Sequence, residues 1–164
     1  MKLCHLSAAI AVVSAGILSC GGSSGPSNNF GAQLTGANEV PAVSTTATGT
    51  CSLTLSGTTV NYTLSGTGLS GNATGGHIHV GSATATGPVV VNFLAITPAP
   101  AGTTTSVSGS FTAANIINPT NPPLSPPVVT LDDLIAQIRA GNAYSNIHTA
   151  AHPGGEIRGQ LAVQ

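Results

Sequence analysis

The chain has 164 residues, 41% of them hydrophobic, enough for one domain with a real core. Only 4% are charged and the formal net charge is −1, which excludes a basic nucleic-acid binder, an acidic tail and a coiled coil, since each needs clustered charge. Trp is absent and aromatics amount to 3%, which argues against a stacking platform for bases or sugars.

Lys2 is followed by an apolar run from Ala8 to Leu18, broken only by Ser14 and Gly16. The run is shorter than the about 20 residues of a spanning helix and has the size of a signal-peptide core. It ends in Ile17-Leu18-Ser19-Cys20, which resembles a bacterial lipobox. Residues 1–19 are therefore expected to be a lipoprotein signal peptide, with Cys20 lipidated and residues 20–29 a flexible Gly/Ser tether. Residues 30–164 remain as the folded domain, held outside the cytoplasm in the cell envelope. Gly21 lacks the aspartate associated with inner-membrane retention, which favours the outer membrane. Cys4 leaves with the signal, so Cys51 has no disulfide partner; in phase with Leu53 and Leu55, it reads as a small buried hydrophobe.

From Phe30 onward, period-two alternation predicts half-buried strands. Phe30, Ala32 and Leu34 form one set, Cys51, Leu53 and Leu55 a second, and Val60, Tyr62 and Leu64 a third beyond the turn at Gly57-Thr58-Thr59. Ile78 and Val80 alternate with His77 and His79, and Val89 to Leu94 reads as a buried strand. Val107 and Phe111 share a phase across Gly109, a candidate bulge or close backbone approach. The proline-rich stretch from Asn115 to Pro127 is an extended surface connection. Leu131, Leu134, Ile135 and Ile138 then fall at helical spacing after Thr130, with Asp132 and Asp133 complementing the helix dipole, Arg139 near the end and Gly141 beyond. Residues 143–149 and 156–163 complete roughly eight strands, so the expected fold is an all-β sandwich or Greek-key barrel with one short helix.

The histidines beyond the signal form two pairs, His77/His79 and His148/His152. Residues two apart in a strand share a face, with Cα atoms about 6.6 Å apart, so His77 and His79 project together. Two such imidazoles can converge on one metal. His148 ends another strand and His152 follows in a turn, so His77, His79 and His148 are candidate copper or zinc ligands, with His152 as an optional fourth. The competing reading makes them structural, each ring donating to a backbone carbonyl. Glu156 and Arg158 share a face with Gln160 and are either an ion pair, separate hydrogen-bond anchors to loops, or supports of an imidazole. Glu39 reads as a loop carboxylate satisfying backbone donors. Nucleophile-elbow, phosphate-loop and dinucleotide motifs are absent.

Three stretches, Gly36-Ala37-Asn38-Glu39-Val40-Pro41-Ala42-Val43, Gly76-His77-Ile78-His79-Val80-Gly81 and Tyr144 through Leu161 with its His-Thr-Ala-Ala-His-Pro-Gly-Gly-Glu-Ile-Arg-Gly core, resemble the CHRD domain. That domain is named after chordin and also occurs in microbial secreted proteins. The resemblance implies an immunoglobulin-like β-barrel related to the copper/zinc superoxide dismutase fold, and His77-Ile78-His79 looks like that enzyme's paired copper ligands. The dismutase's bridging histidine, zinc-binding aspartate and steering arginine have no counterpart placed in this sequence. The expected function is a lipid-anchored, non-enzymatic, extracytoplasmic domain that is a candidate binder of copper or zinc. The alternatives are a surface adhesion or protein-binding module with structural histidines, and a dismutase-like enzyme. The expected partners are the membrane, through lipid on Cys20, and a candidate protein or surface ligand, but not nucleic acid.

Overall fold

The computed structural model describes residues 25–120 and 123–164; the expected signal peptide, Cys20 and the first half of the expected tether lie outside the described residues. The elements are β1 (Asn29–Thr35), β2 (Thr48–Ser56), β3 (Thr59–Thr67), β4 (Ala73–Val80), β5 (Val89–Asn92), α1 (Phe93–Ile96), β6 (Thr105–Phe111), α2 (Leu131–Arg139), β7 (Ala143–Thr149), β8 (Ile157–Gln160) and β9 (Ala162–Val163). The fold is all-β with one short amphipathic helix, as the alternation predicts, and the antiparallel sheet curls into a half-barrel.

The strand order is β5-β4-β7-β8-β1-β2-β3-β6, with β9 added beside β1. β8 and β1 share a single residue pair, Thr35 with Arg158, whereas β2 and β3 pair along their full length from Thr48/Thr67 to Ser56/Thr59. The sheet therefore bends sharply at the β8–β1 seam, and its two four-stranded halves fold onto each other. Phe30, Leu34, Leu53, Val60 and Leu64 from one half face Ile78, Val91, Ile147 and Ile157 from the other, all buried. Two glycines let the halves approach: a Cβ on Gly66 would lie 2.9 Å from Ile147 Cδ1, and one on Gly76 would lie 2.6 Å from Leu64 Cδ2.

Cys51 lies in this core as expected, and burial pushes its thiol up to about 12. The strand read from Val89 to Leu94 ends early. Asn92 accepts hydrogen bonds from the backbone N–H groups of Leu94 and Ala95, so it caps one helical turn, and α1 packs against β4 and β6. At Gly109 the register with β3 is unbroken, and the expected close approach is to the Tyr62 hydroxyl. In α2, Thr130 and Asp133 form a reciprocal capping box, and Leu131, Leu134, Ile135 and Ile138 are buried beside β7 and β9. Asp133 is held below its ordinary value by hydrogen bonds from Thr130 and from the Val129 and Thr130 amides. That assigns Asp133 to the helix start.

Two substitutions test this architecture. Thr130→Ala removes the cap and is expected to cost about 1 kcal/mol, while Ile147→Ala opens a cavity between the halves and is expected to cost about 2–5 kcal/mol. Urea denaturation reads both. An Ile147→Ala loss no larger than that of the cap would mean that the two inner faces do not meet there.

Candidate metal centre

The second face of β4, β7 and β8 carries the chemistry. Because side chains alternate, Ile78 and Ile147 enter the core while His77, His79, Tyr144, Asn146, His148 and Arg158 share the outer face. The β4–β7 register sets Gly75 opposite His148, His77 opposite Asn146 and His79 opposite Tyr144. Across β7, Asn146 pairs with Arg158 on β8. This outer face is not open to solvent throughout: the loop from Gly81 to Pro88 covers part of it. His79 Nδ1 donates to the Gly87 carbonyl at 2.8 Å and the Gly87 amide donates to the Tyr144 hydroxyl at 3.2 Å. Arg158 Nη2 donates to the carbonyls of Ser82 and Ala85 at 2.7 and 3.0 Å.

His77, His79 and His148 converge, each offering one ligand nitrogen within 4.8 Å of the other two. His148 Nδ1 donates to the Pro153 carbonyl at 2.9 Å, which leaves Nε2 as an acceptor, and His77 Nδ1 meets that Nε2 at 3.1 Å. Two nitrogens bound at tetrahedral angles to one ion with bonds of about 2.0–2.1 Å lie about 3.3 Å apart, so this pair already has ligand spacing. His79 Nε2 is buried and has no hydrogen-bond partner. A buried, unpartnered ring nitrogen on a histidine grouped with two other imidazoles fits a cation. The carbonyls of Gly87 and Pro153 fix the tautomers of His79 and His148, the support that metal-bound imidazoles ordinarily receive. Burial and the neighbouring imidazoles lower His77 to about 4. Burial also lowers His79 to about 4, with His148 and Arg158 adding to the effect, and it lowers His148. All three rings are neutral at pH 7, the form that binds metal.

The remaining candidates lie elsewhere. His152 is outside the three-histidine group and lines a cleft of about 250 Å³ with Glu39, Val40, Pro41 and Pro153. Glu156 is fully buried, but its oxygens accept from Ser70, Thr149 and Thr45 and not from an imidazole. Burial opposes its charge, yet those hydrogen bonds outweigh it and hold the carboxyl below its ordinary value. Glu156 thus pins the loop at Ser70 to the end of β7. Arg158, 1% exposed, anchors the Ser82–Ala85 loop, and its guanidinium carbon lies 3.4 Å from the Tyr144 ring centroid. Glu156 and Arg158 are therefore separate anchors to two loops. Glu39 is buried, with Oε1 unpartnered; burial raises it to about 7 against the pull of Arg158 and a hydrogen bond from the Val40 backbone N–H. Tyr144, Asn146 and the Gly87 carbonyl were not among the expected site residues. Counting back from His148 in steps of two reaches Asn146 and Tyr144 on the same face, a signal present in the sequence; nothing local marks the Gly87 carbonyl.

The model of the CHRD domain family matches residues 30–161. No curated protein and no solved structure shows significant similarity to the chain.

The shifted groups predict how the metal-free protein responds to pH. His77 and His79 titrate near 6.5 when unfolded and near 4 when folded. Between those values the unfolded chain holds more protons, so their contribution is complete above about pH 6.5 and is lost as pH falls toward 4. Glu39 acts in the opposite sense: its folded value of about 7 lies above the ordinary 4.5, so its contribution is complete below 4.5 and lost as pH rises through 7. Metal-free protein is expected to lose stability in urea denaturation between pH 7 and pH 4. Glu39→Gln is expected to gain more, relative to wild type, at pH 8 than at pH 4. A pH-independent difference between variant and wild type would show that Glu39 is not held in its protonated form.

Proposed function

Because the chain belongs to the CHRD domain family, we propose that it is a CHRD protein anchored outside the cytoplasm by lipid on Cys20. It binds one copper or zinc ion through His77, His79 and His148 and catalyses no reaction of its own. The observation that carries this reading is the convergence of three neutral imidazoles around the buried, unpartnered Nε2 of His79. Three imidazole nitrogens form a donor set suited to copper(II) or zinc(II). His77 is only half-buried, so an ion can enter from its side, while the Gly81–Pro88 loop shields His79. The bound ion would supply a positive centre that ties β4 to β7, and the two carbonyl-bound rings hold their orientation whether or not it is present.

A second reading is favoured by a different observation. The outer face of the β1-β2-β3-β6 half carries Thr48, Thr50, Ser52 and Thr54 beside Asn61, Thr63, Ser65, Ser106 and Ser108, with no formal charge among them. Such a surface suits an adhesion module whose histidines are structural.

Titration of the metal-free protein with copper(II) or zinc(II) tests the first reading. One equivalent is expected to bind, and the His77→Ala/His79→Ala double variant is expected to lose that site. Equal binding by the double variant would leave the adhesion reading standing. Copper-loaded protein is expected to quench superoxide no faster than free copper, and a faster rate would make the protein an enzyme. Cys20→Ala is expected to abolish detergent partitioning and the lipid mass increment; unchanged mass would refute the anchor.

A further inference from the structure

Several buried polar atoms without a hydrogen-bond partner gather on the outer face of β4, β7 and β8: His79 Nε2, Asn146 Oδ1, Arg158 Nη1 and Gln160 Oε1. Buried polar atoms are nearly always partnered, so such a concentration calls for a missing partner. Asn146 stands at its centre. It is 2% exposed, lies opposite His77 on β4 and opposite Arg158 on β8, and shares its face with Tyr144 and His148. Its side chain faces the His79 ring. Because His79 Nδ1 donates to Gly87, the proton of that neutral ring is on Nδ1, and Nε2 is an acceptor. The amide oxygen is also an acceptor. Both atoms are buried acceptors without a partner, and a cation between them would satisfy the two at once.

We propose that the Asn146 amide oxygen is the fourth donor of the metal centre, joining the nitrogens of His77, His79 and His148. This rests on the reading of those three histidines as metal ligands. The donor is neutral, so the ion keeps its full charge within the site. An N₃O set remains in the range of copper(II) and zinc(II). Asn146 would also explain why His152 is not needed to complete four donors.

The test uses the full-length protein in detergent, with copper(II) alone as the probe, reading both the dissociation constant by competition and the electron paramagnetic resonance spectrum of the bound ion. Asn146→Leu keeps the side-chain size but offers no donor, and is expected to weaken binding roughly tenfold or more and to change the copper spectrum. Asn146→Asp supplies an anionic oxygen in the same place and is expected to bind at least as tightly as wild type, again with an altered spectrum. If both variants bind within twofold of wild type with its spectrum, while His77→Ala/His79→Ala loses the ion, the amide is not a ligand and the three-histidine reading survives. If wild type binds no copper, or binds it independently of the histidines, that reading fails and takes this proposal with it. Should Asn146→Leu fail to fold, Asn146→Ala, which removes the oxygen without adding bulk, is measured in its place, with the same weakening and change of spectrum expected.

Discussion

The pairing of β4 with β7 underlies both the core and the candidate site. Its register places Ile78 opposite Ser145 and Gly76 opposite Ile147 on one face, and His77 opposite Asn146 and His79 opposite Tyr144 on the other. A slip of β4 by one residue would turn Ile78 outward and drive His77 and His79 into the apolar interior. The register that buries the hydrophobic side chains is thus the one that assembles the imidazoles. Gly75 completes the arrangement, because a Cβ there would lie 2.8 Å from His77 Cε1 and 3.2 Å from His148 Cδ2.

The two halves of the barrel treat their outer faces differently. On β2 and β3 the outer face is exposed and uncharged, bonded across strands by hydroxyl pairs such as Thr50–Ser65. On β4, β7 and β8 it is roofed by the Gly81–Pro88 loop and filled with titratable and aromatic side chains. His79 stacks on Tyr144 at 4.8 Å with an interplanar angle of 4°, and Arg158 lies over that same tyrosine. A buried guanidinium needs acceptors, and the carbonyls of Ser82 and Ala85 supply them. The loop is held down by the same groups that it covers, so roof and floor stabilise each other. Glu156 does the same at the other end of β7, where Ser70 and Thr149 donate to one carboxylate.

Much of this was legible in the residue pattern. Alternation located the strands, and the hairpin at Gly57 and the capped helix after Thr130 fell where turn and capping chemistry put them. The shared face of His77 and His79 followed from period two. The end of β5 was missed because Val89 to Leu94 is apolar apart from Asn92, and the cap that Asn92 makes outweighs that near-continuity. His148 and His152 are four residues apart, but the turn carries His152 toward Glu39 while the strand keeps His148 beside His77. The roles of Glu156 and Arg158 stayed open between an ion pair, loop anchors and support of an imidazole, since the Ser70 and Ser82 loops that they hold are distant in sequence.

Taken alone, the order of residues determined that this is a charge-poor, all-β domain with a capped helix, and it placed two imidazoles on one strand face, because alternation and capping act over a few neighbouring residues. Only the tertiary structure decided that His148 rather than His152 joins them, that the carbonyls of Gly87 and Pro153 set their tautomers, and that Asn146 faces His79. Those outcomes depend on which strands lie side by side and which loop covers them. Strand pairing is settled by burial across the whole sheet, a property that no short stretch of the chain contains.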